Sequence, residues 1–210
     1  RCVLQGLQHT HQNGLVHNDV KPGNVFVQVP PDADKIWKST QQELAAWLFQ
    51  LPDTMRVVLG DFGLAVPAEP NDRRLQSSKD VEGHGVDQAT LWYSSVEALC
   101  GDTKFSFPVD CWALGCVGAE IHKKEPLFPL TKQDLAGDVL TKKARQAGAR
   151  LVLLKIMRVL GKPTSGPLLE LPHFPKDAAD CKPQLSHWLW ASKDVTKFLR
   201  AALTLDPDER

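Results

Sequence analysis

One short stretch, His17-Asn18-Asp19-Val20-Lys21-Pro22-Gly23-Asn24, sets a carboxylate, an ammonium group and an amide close together. Proline and glycine fix the turn between them. Further on, Asp61-Phe62-Gly63 puts a second carboxylate on a Phe-Gly hinge, just after the apolar run Val57-Val58-Leu59-Gly60. Phosphoryl transfer asks for such a set. It needs a carboxylate to accept the attacking hydroxyl's proton, a cation near the transferred group, and hard oxygen ligands for magnesium. Asp19 suits the first role, Lys21 the second, and Asn24 with Asp61 the third. The bland alternative is a turn aspartate capping Lys21 and an ordinary loop asparagine.

These residues must be held by something, and the pattern around them is mainly helical. Residues 1–15 space Val3, Leu4 and Leu7 as a helix does and stop at Asn13-Gly14, a C-terminal signal. Val25-Phe26-Val27 reads as a short strand, pairing with the run before Asp61 as one small β-hairpin. Residues 64–89 are polar and read as a loop. Residues 109–123 are a mostly apolar helix, expected to be central and buried. Residues 149–160 are amphipathic through Leu151, Leu154, Ile156, Met157 and Leu160. Residues 163–190 are proline-rich and poorly periodic, and 193–204 close with a last helix. There are no internal repeats.

Bulk properties narrow the class. The 210 residues suit one domain, long enough to bury roughly 70% of the unfolded surface. Lysine plus arginine equals aspartate plus glutamate at 25 each, so no global field favours nucleic acid or an anionic membrane. The five cysteines are odd in number and lack Cys-x-x-Cys spacing. That argues against zinc and a disulfide framework and for a reducing, intracellular setting, in cytoplasm or nucleus. No apolar run approaches the ~20 residues of a membrane span. The chain lacks an initiator Met and starts inside a helical pattern, so it reads as a fragment.

The two motifs, in this order, resemble the catalytic loop and metal-binding loop of the eukaryotic protein kinases. Thr90-Leu91-Trp92-Tyr93-Ser94-Ser95-Val96-Glu97 resembles the end of that family's activation segment. Asp110-Cys111-Trp112-Ala113-Leu114-Gly115 resembles the start of its buried central helix. Leu205-Asp206-Pro207-Asp208-Glu209-Arg210 resembles its Leu-x-Asp-Pro-x-x-Arg stretch. Trp92-Tyr93, Pro126-Leu127-Phe128-Pro129 and Leu160-Gly161-Lys162-Pro163-Thr164 are similar to the cyclin-dependent and MAP kinase group. The resemblance implies a mainly α fold, a kinase C-terminal lobe spanning 1–210 with a small β-hairpin. It leaves two inserts, 28–56 and 130–148. The first contains an amphipathic helix from Lys35 to Gln50 with Trp37 and Trp47, read as a surface elaboration or a docking element. The second carries Lys132, Lys142, Lys143, Arg145 and, just beyond, Arg150, read as a solvated face or a phosphate-binding or substrate-docking patch. The family's Gly-rich loop, strand lysine and partnering glutamate helix do not occur, so the N-terminal lobe is absent and this chain alone is expected to be inactive.

By the same resemblance the function is serine/threonine protein kinase activity, moving the ATP γ-phosphate to protein hydroxyls with magnesium. Asp19 would be the catalytic base and Lys21 the phosphate-neutralising cation typical of serine/threonine kinases. Asn24 and Asp61 would hold magnesium, and Phe26 would lie under the adenine. His17 would pack near Phe62, Thr90 would bridge the base and Lys21, Glu97 would pair with Arg210, and Asp110 would accept catalytic-loop N–H groups. Partners would be a protein substrate bearing a Ser/Thr hydroxyl and a regulatory protein, with neither nucleic acid nor membrane. Three positions depart from the pattern. Asn18 stands where the family has an arginine that receives an activation-loop phosphate. Ser94 and Val96 replace an arginine and a proline, so a preference for proline after the target residue does not carry over. Two other classes stay open: a pseudokinase or scaffold, and a small-molecule phosphotransferase with a similar His-x-Asp-x-x-x-x-Asn loop. The latter should lack Lys21 and the segment ending in Glu97.

Overall fold

The computed structural model describes residues 2–27, 57–68, 91–102, 106–131, 134, 142–180, 184 and 192–210. The expected helix at 35–50 and most of the polar loop at 64–89 lie outside these residues, as do Thr90 and Cys181. The elements are α1 (Cys2–Gln12), β1 (Leu15–Val16), β2 (Val25–Val27), β3 (Val57–Leu59), β4 (Val66–Pro67), α2 (Val96–Leu99), α3 (Phe107–Lys123), α4 (Lys142–Leu160) and α5 (Lys193–Ala202). Three short 3-10 turns join them, at Pro22–Asn24, Pro167–Glu170 and Pro207–Glu209.

The apolar 109–123 run is the middle of the molecule. Within α3, Trp112, Cys116, Val117 and Ala119 are buried. The helix starts with Pro108 in its first turn, where a missing N–H costs nothing, and ends at Lys124 in a left-handed cap at φ 63°. Trp112 stacks on Phe128 with ring centroids 6.2 Å apart. Leu7 of α1, Val152, Leu153, Ile156 and Met157 of α4, and Leu199 of α5 complete the core. In α5, Ser192 caps the first turn by accepting from Val195 N. Its apolar stripe, Val195, Leu199 and Ala202, faces inward while Lys193, Lys197 and Arg200 stay outside, as an amphipathic surface helix requires.

Three details differ from the sequence reading. The described residues form two antiparallel ladders rather than one: β2 with β3 (Val25↔Leu59, Phe26↔Val58, Val27↔Val57) and β1 with β4 (Leu15↔Pro67, Val16↔Val66). The second is a two-residue pairing, too short to leave a period-2 signature. α4 begins at Lys142, not near 149, because its first turns (Lys142-Lys143-Ala144-Arg145-Gln146) are polar and carry no apolar stripe. The second expected insert therefore runs into a helix. Among the described residues, no helix is long and apolar enough to cross a membrane.

Candidate active site

The loop between β1 and β2 is anchored from below by α3. Asp110, in the first turn of α3 and 1% exposed, accepts His17 N on Oδ2 and Asn18 N on Oδ1, both at 2.8 Å. His11 Nε2 lies 2.8 Å from the same Oδ2 and its ring packs on Phe107 at 4.5 Å. One buried carboxylate thus ties α1, the loop and α3 together. His17, fully buried, does the same toward the second motif. Its Nε2 lies 3.0 Å from Gly60 O, Asp19 N donates to its Nδ1 at 3.3 Å, and its ring sits 4.7 Å from Phe62. A ring whose Nδ1 accepts must donate from Nε2, which fixes the tautomer.

Asp19, Lys21 and Asn24 converge on this frame. Asp19 is 7% exposed. Its Oδ2 accepts from Asn24 Nδ2 at 2.9 Å and lies 3.0 Å from Lys21 Nζ. Asn24 Nδ2 also donates to Asp19 O at 2.8 Å, so both of its amide protons are spent locally. Asp19 Oδ1 is buried and has no hydrogen-bond partner among the described residues. Such an orphan carboxylate oxygen is costly in a finished core and expected where a substrate group will bind. Beside it opens a cavity of about 50 Å³ lined by Asn18, Val20, Tyr93 and Ser95.

Asp61 arrives through the β2–β3 ladder. Gly60 N donates to Asn24 O at 2.9 Å, which holds the residue before Asp61 against the loop. A Cβ at Gly60 would fall 2.8 Å from the Phe26 ring, so a larger residue there would push that ring aside. Asp61 itself is exposed with φ 61°, and its Oδ1 accepts Gly63 N at 3.3 Å. Phe26, on the same ladder opposite Val58, is 51% exposed, and Val58 and Phe62 are also about half exposed. Backbone neighbours thus connect the five predicted site residues. Asp19, Lys21 and Asn24 are in direct contact, while Asp61 and Phe26 are joined to them through Gly60.

The activation-segment end is fastened as firmly. Glu97 accepts Arg210 Nη1 at 3.0 Å and Nη2 at 2.6 Å, with the two side chains 4% and 0% exposed. Arg210 also donates to Pro108 O and Leu205 O, and its guanidinium carbon lies 5.1 Å from the Trp112 ring centre. Tyr93 donates to Glu120 of α3 at 2.6 Å. Burial, reinforced by Glu120, raises the pKa of that hydroxyl, so it stays a donor.

This architecture has known counterparts: the family model for the protein kinase domain matches residues 1–210. The chain belongs to the protein kinase domain family. Among its relatives, the probable cyclin-dependent kinase 8 of Dictyostelium discoideum is 32% identical over 175 residues, 83% of this chain and 37% of that protein. Cyclin-dependent kinase E-1 of Arabidopsis thaliana is 31% identical over 83% of this chain and 30% of its own length. The serine/threonine-protein kinase ICK of Rattus norvegicus is 32% identical over 60% of this chain and 15% of its own. The chain spans about a third of the length of the first two relatives.

Within this kinase domain, sequence reasoning missed His11 and the Tyr93–Glu120 pair. His11 lies 99 positions from Asp110, and no local pattern connects residues that far apart. For Tyr93, the available signal was the chain's one tyrosine in a segment expected to pack on the lobe, since a buried hydroxyl needs a partner.

Proposed function

We propose that residues 1–210 form the C-terminal lobe of a serine/threonine protein kinase that moves the γ-phosphate of ATP to protein hydroxyls. The observation that carries this reading is the division of labour on Asp19. Oδ2 is tied down by Asn24 and Lys21, while Oδ1 is left without a partner among the described residues. A base held by one oxygen and open on the other can align a substrate hydroxyl and take its proton. Lys21 lies where it can offset charge on the transferred group.

Magnesium fits the residues present. With the Asn24 amide protons donated to Asp19, its amide oxygen is the atom left for a cation, and exposed Asp61 supplies a second hard oxygen. Magnesium needs only one or two such protein ligands beside phosphate oxygens, where it would neutralise the nucleotide's charge. Phe26 offers an apolar platform for the adenine. Protein substrates and a cyclin-type regulatory subunit are suggested by the relatives' names, the cysteine usage suits a reducing, intracellular setting, and the intact Asp19, Lys21, Asn24 and Asp61 favour catalysis over a scaffold role.

The test is to incubate the full-length protein with γ-labelled ATP and a mixed protein substrate, then hydrolyse the products to amino acids. Label on phosphoserine and phosphothreonine is expected. Label confined to small molecules, or none, would contradict the proposal.

A further inference from the structure

A cleft of about 430 Å³ lies between α4 and the turn at Pro172-His173-Phe174. α2 separates it from the Asp19 cavity, for Ala98 lines the one and Leu99 the other. Its floor is apolar (Leu99, Phe174) and its polar groups are Arg150, Gln146 and His173, with no carboxylate among the described lining residues. The wall is fixed in place. His173 N donates to Cys100 O at 2.9 Å, and Gly101, at φ 86°, lets the imidazole lie against the turn, since a Cβ there would fall 2.6 Å from His173 Cδ2. Arg150 points a guanidinium at Asp177, 2.6 Å away. That pair is at the surface, the two side chains 46% and 72% exposed, and exposed pairs contribute little. An incoming carboxylate can therefore join or displace Asp177 with a bidentate match to the guanidinium.

We propose that this cleft binds an acidic side chain of the protein substrate, a short distance along the chain from the hydroxyl presented to Asp19. The assignment rests on the kinase reading above. α2 is about 6 Å long and a helix with side chains about 10 Å across. An extended segment of about six residues, near 20 Å, crosses it with room to spare. Charge complementarity selects the occupant: one guanidinium, an imidazole and an amide around an apolar floor suit a Glu or Asp side chain and its methylenes.

Two peptides with one serine acceptor sequence, followed by a short run of glutamates or of alanines, separate the outcomes on the full-length protein. The glutamate peptide should have a KM lower by about tenfold with kcat unchanged, as expected of a contact made equally in ground and transition states. Arg150→Ala should erase the difference and leave the alanine peptide untouched, whereas Asp177→Asn, which frees the guanidinium, should widen it. Equal KM values in the parent, or an advantage that survives Arg150→Ala, would overturn the assignment. If neither peptide is phosphorylated, the kinase reading is what fails. The cleft is then read directly from fluorescence anisotropy of a labelled hexaglutamate peptide, where binding lost in Arg150→Ala supports it and binding unchanged overturns it. Binding of oligouridylate with the same dependence on Arg150 would assign the cleft to nucleic acid instead and also overturn it.

Discussion

Asn18 and Asp61 both sit in the left-handed region, at φ 63° and 61°. An ordinary L side chain there costs about 1–2 kcal/mol, while Asn and Asp tolerate it through local hydrogen bonds. Two of the three left-handed non-glycine residues among those described are thus at the candidate site, where the chain turns sharply to aim Asp19 and to carry Asp61 off the ladder. The sequence reading took Asn18 only as a lost arginine, whereas the backbone gives a second reason for an amide there. Asn18→Val should lower stability by about 1–2 kcal/mol through strain alone, and Asn18→Gly should be close to neutral, both measured by denaturant unfolding. Equal losses in the two variants would mean the strain argument is wrong.

At the scale of elements, two ion pairs illustrate how burial decides the outcome. Glu97 and Arg210 tie α2 to the end of the chain and are both buried, so Glu97→Ala should cost about 3–5 kcal/mol by stranding the guanidinium. A loss below about 1 kcal/mol would show the pair to be dispensable. Asp134 is the opposite case. It accepts Thr131 N and Oγ1 at 2.7 and 2.9 Å and lies 2.9 Å from Lys155 of α4. The Thr131 backbone bond, then Lys155, pulls its pKa from 3.8 to about 2. The folded state then holds this proton less tightly than the unfolded one, so the contribution is present above about pH 4 and fades as pH falls toward 2. Asp134→Asn should flatten the stability curve over that window, lowering stability above about pH 4, pH 7 included, and changing little near pH 2. A slope unchanged between pH 4 and 2 would remove Asp134 from the acid response.

For the whole molecule, the parts legible in the sequence are those written in continuous stretches. The central helix was visible because residues 109–123 are apolar nearly throughout. The catalytic-loop stretch and Asp61-Phe62-Gly63 were visible because each packs its chemistry into neighbouring positions. What stayed hidden was carried by distance or by polar surface: the β1–β4 ladder, the polar start of α4, and the His11–Asp110 bond. The meeting of Asp19 with Asp61 was expected from motif order alone, but its means, Gly60 donating to Asn24 while His17 receives Asp19 N and reaches Gly60 O, is a property of the folded chain. On the proposed reading the two carboxylates are separable in experiment, one acting on the hydroxyl and the other on the metal.

The most direct test compares Asp19→Asn and Asp61→Asn in the full-length protein, with turnover and magnesium-ATP affinity measured on the same samples. The account predicts that Asp19→Asn loses roughly 10²–10⁴ in kcat while binding magnesium-ATP as the parent does. Asp61→Asn should weaken that binding at matched magnesium. Parent-like turnover from both variants would contradict the account.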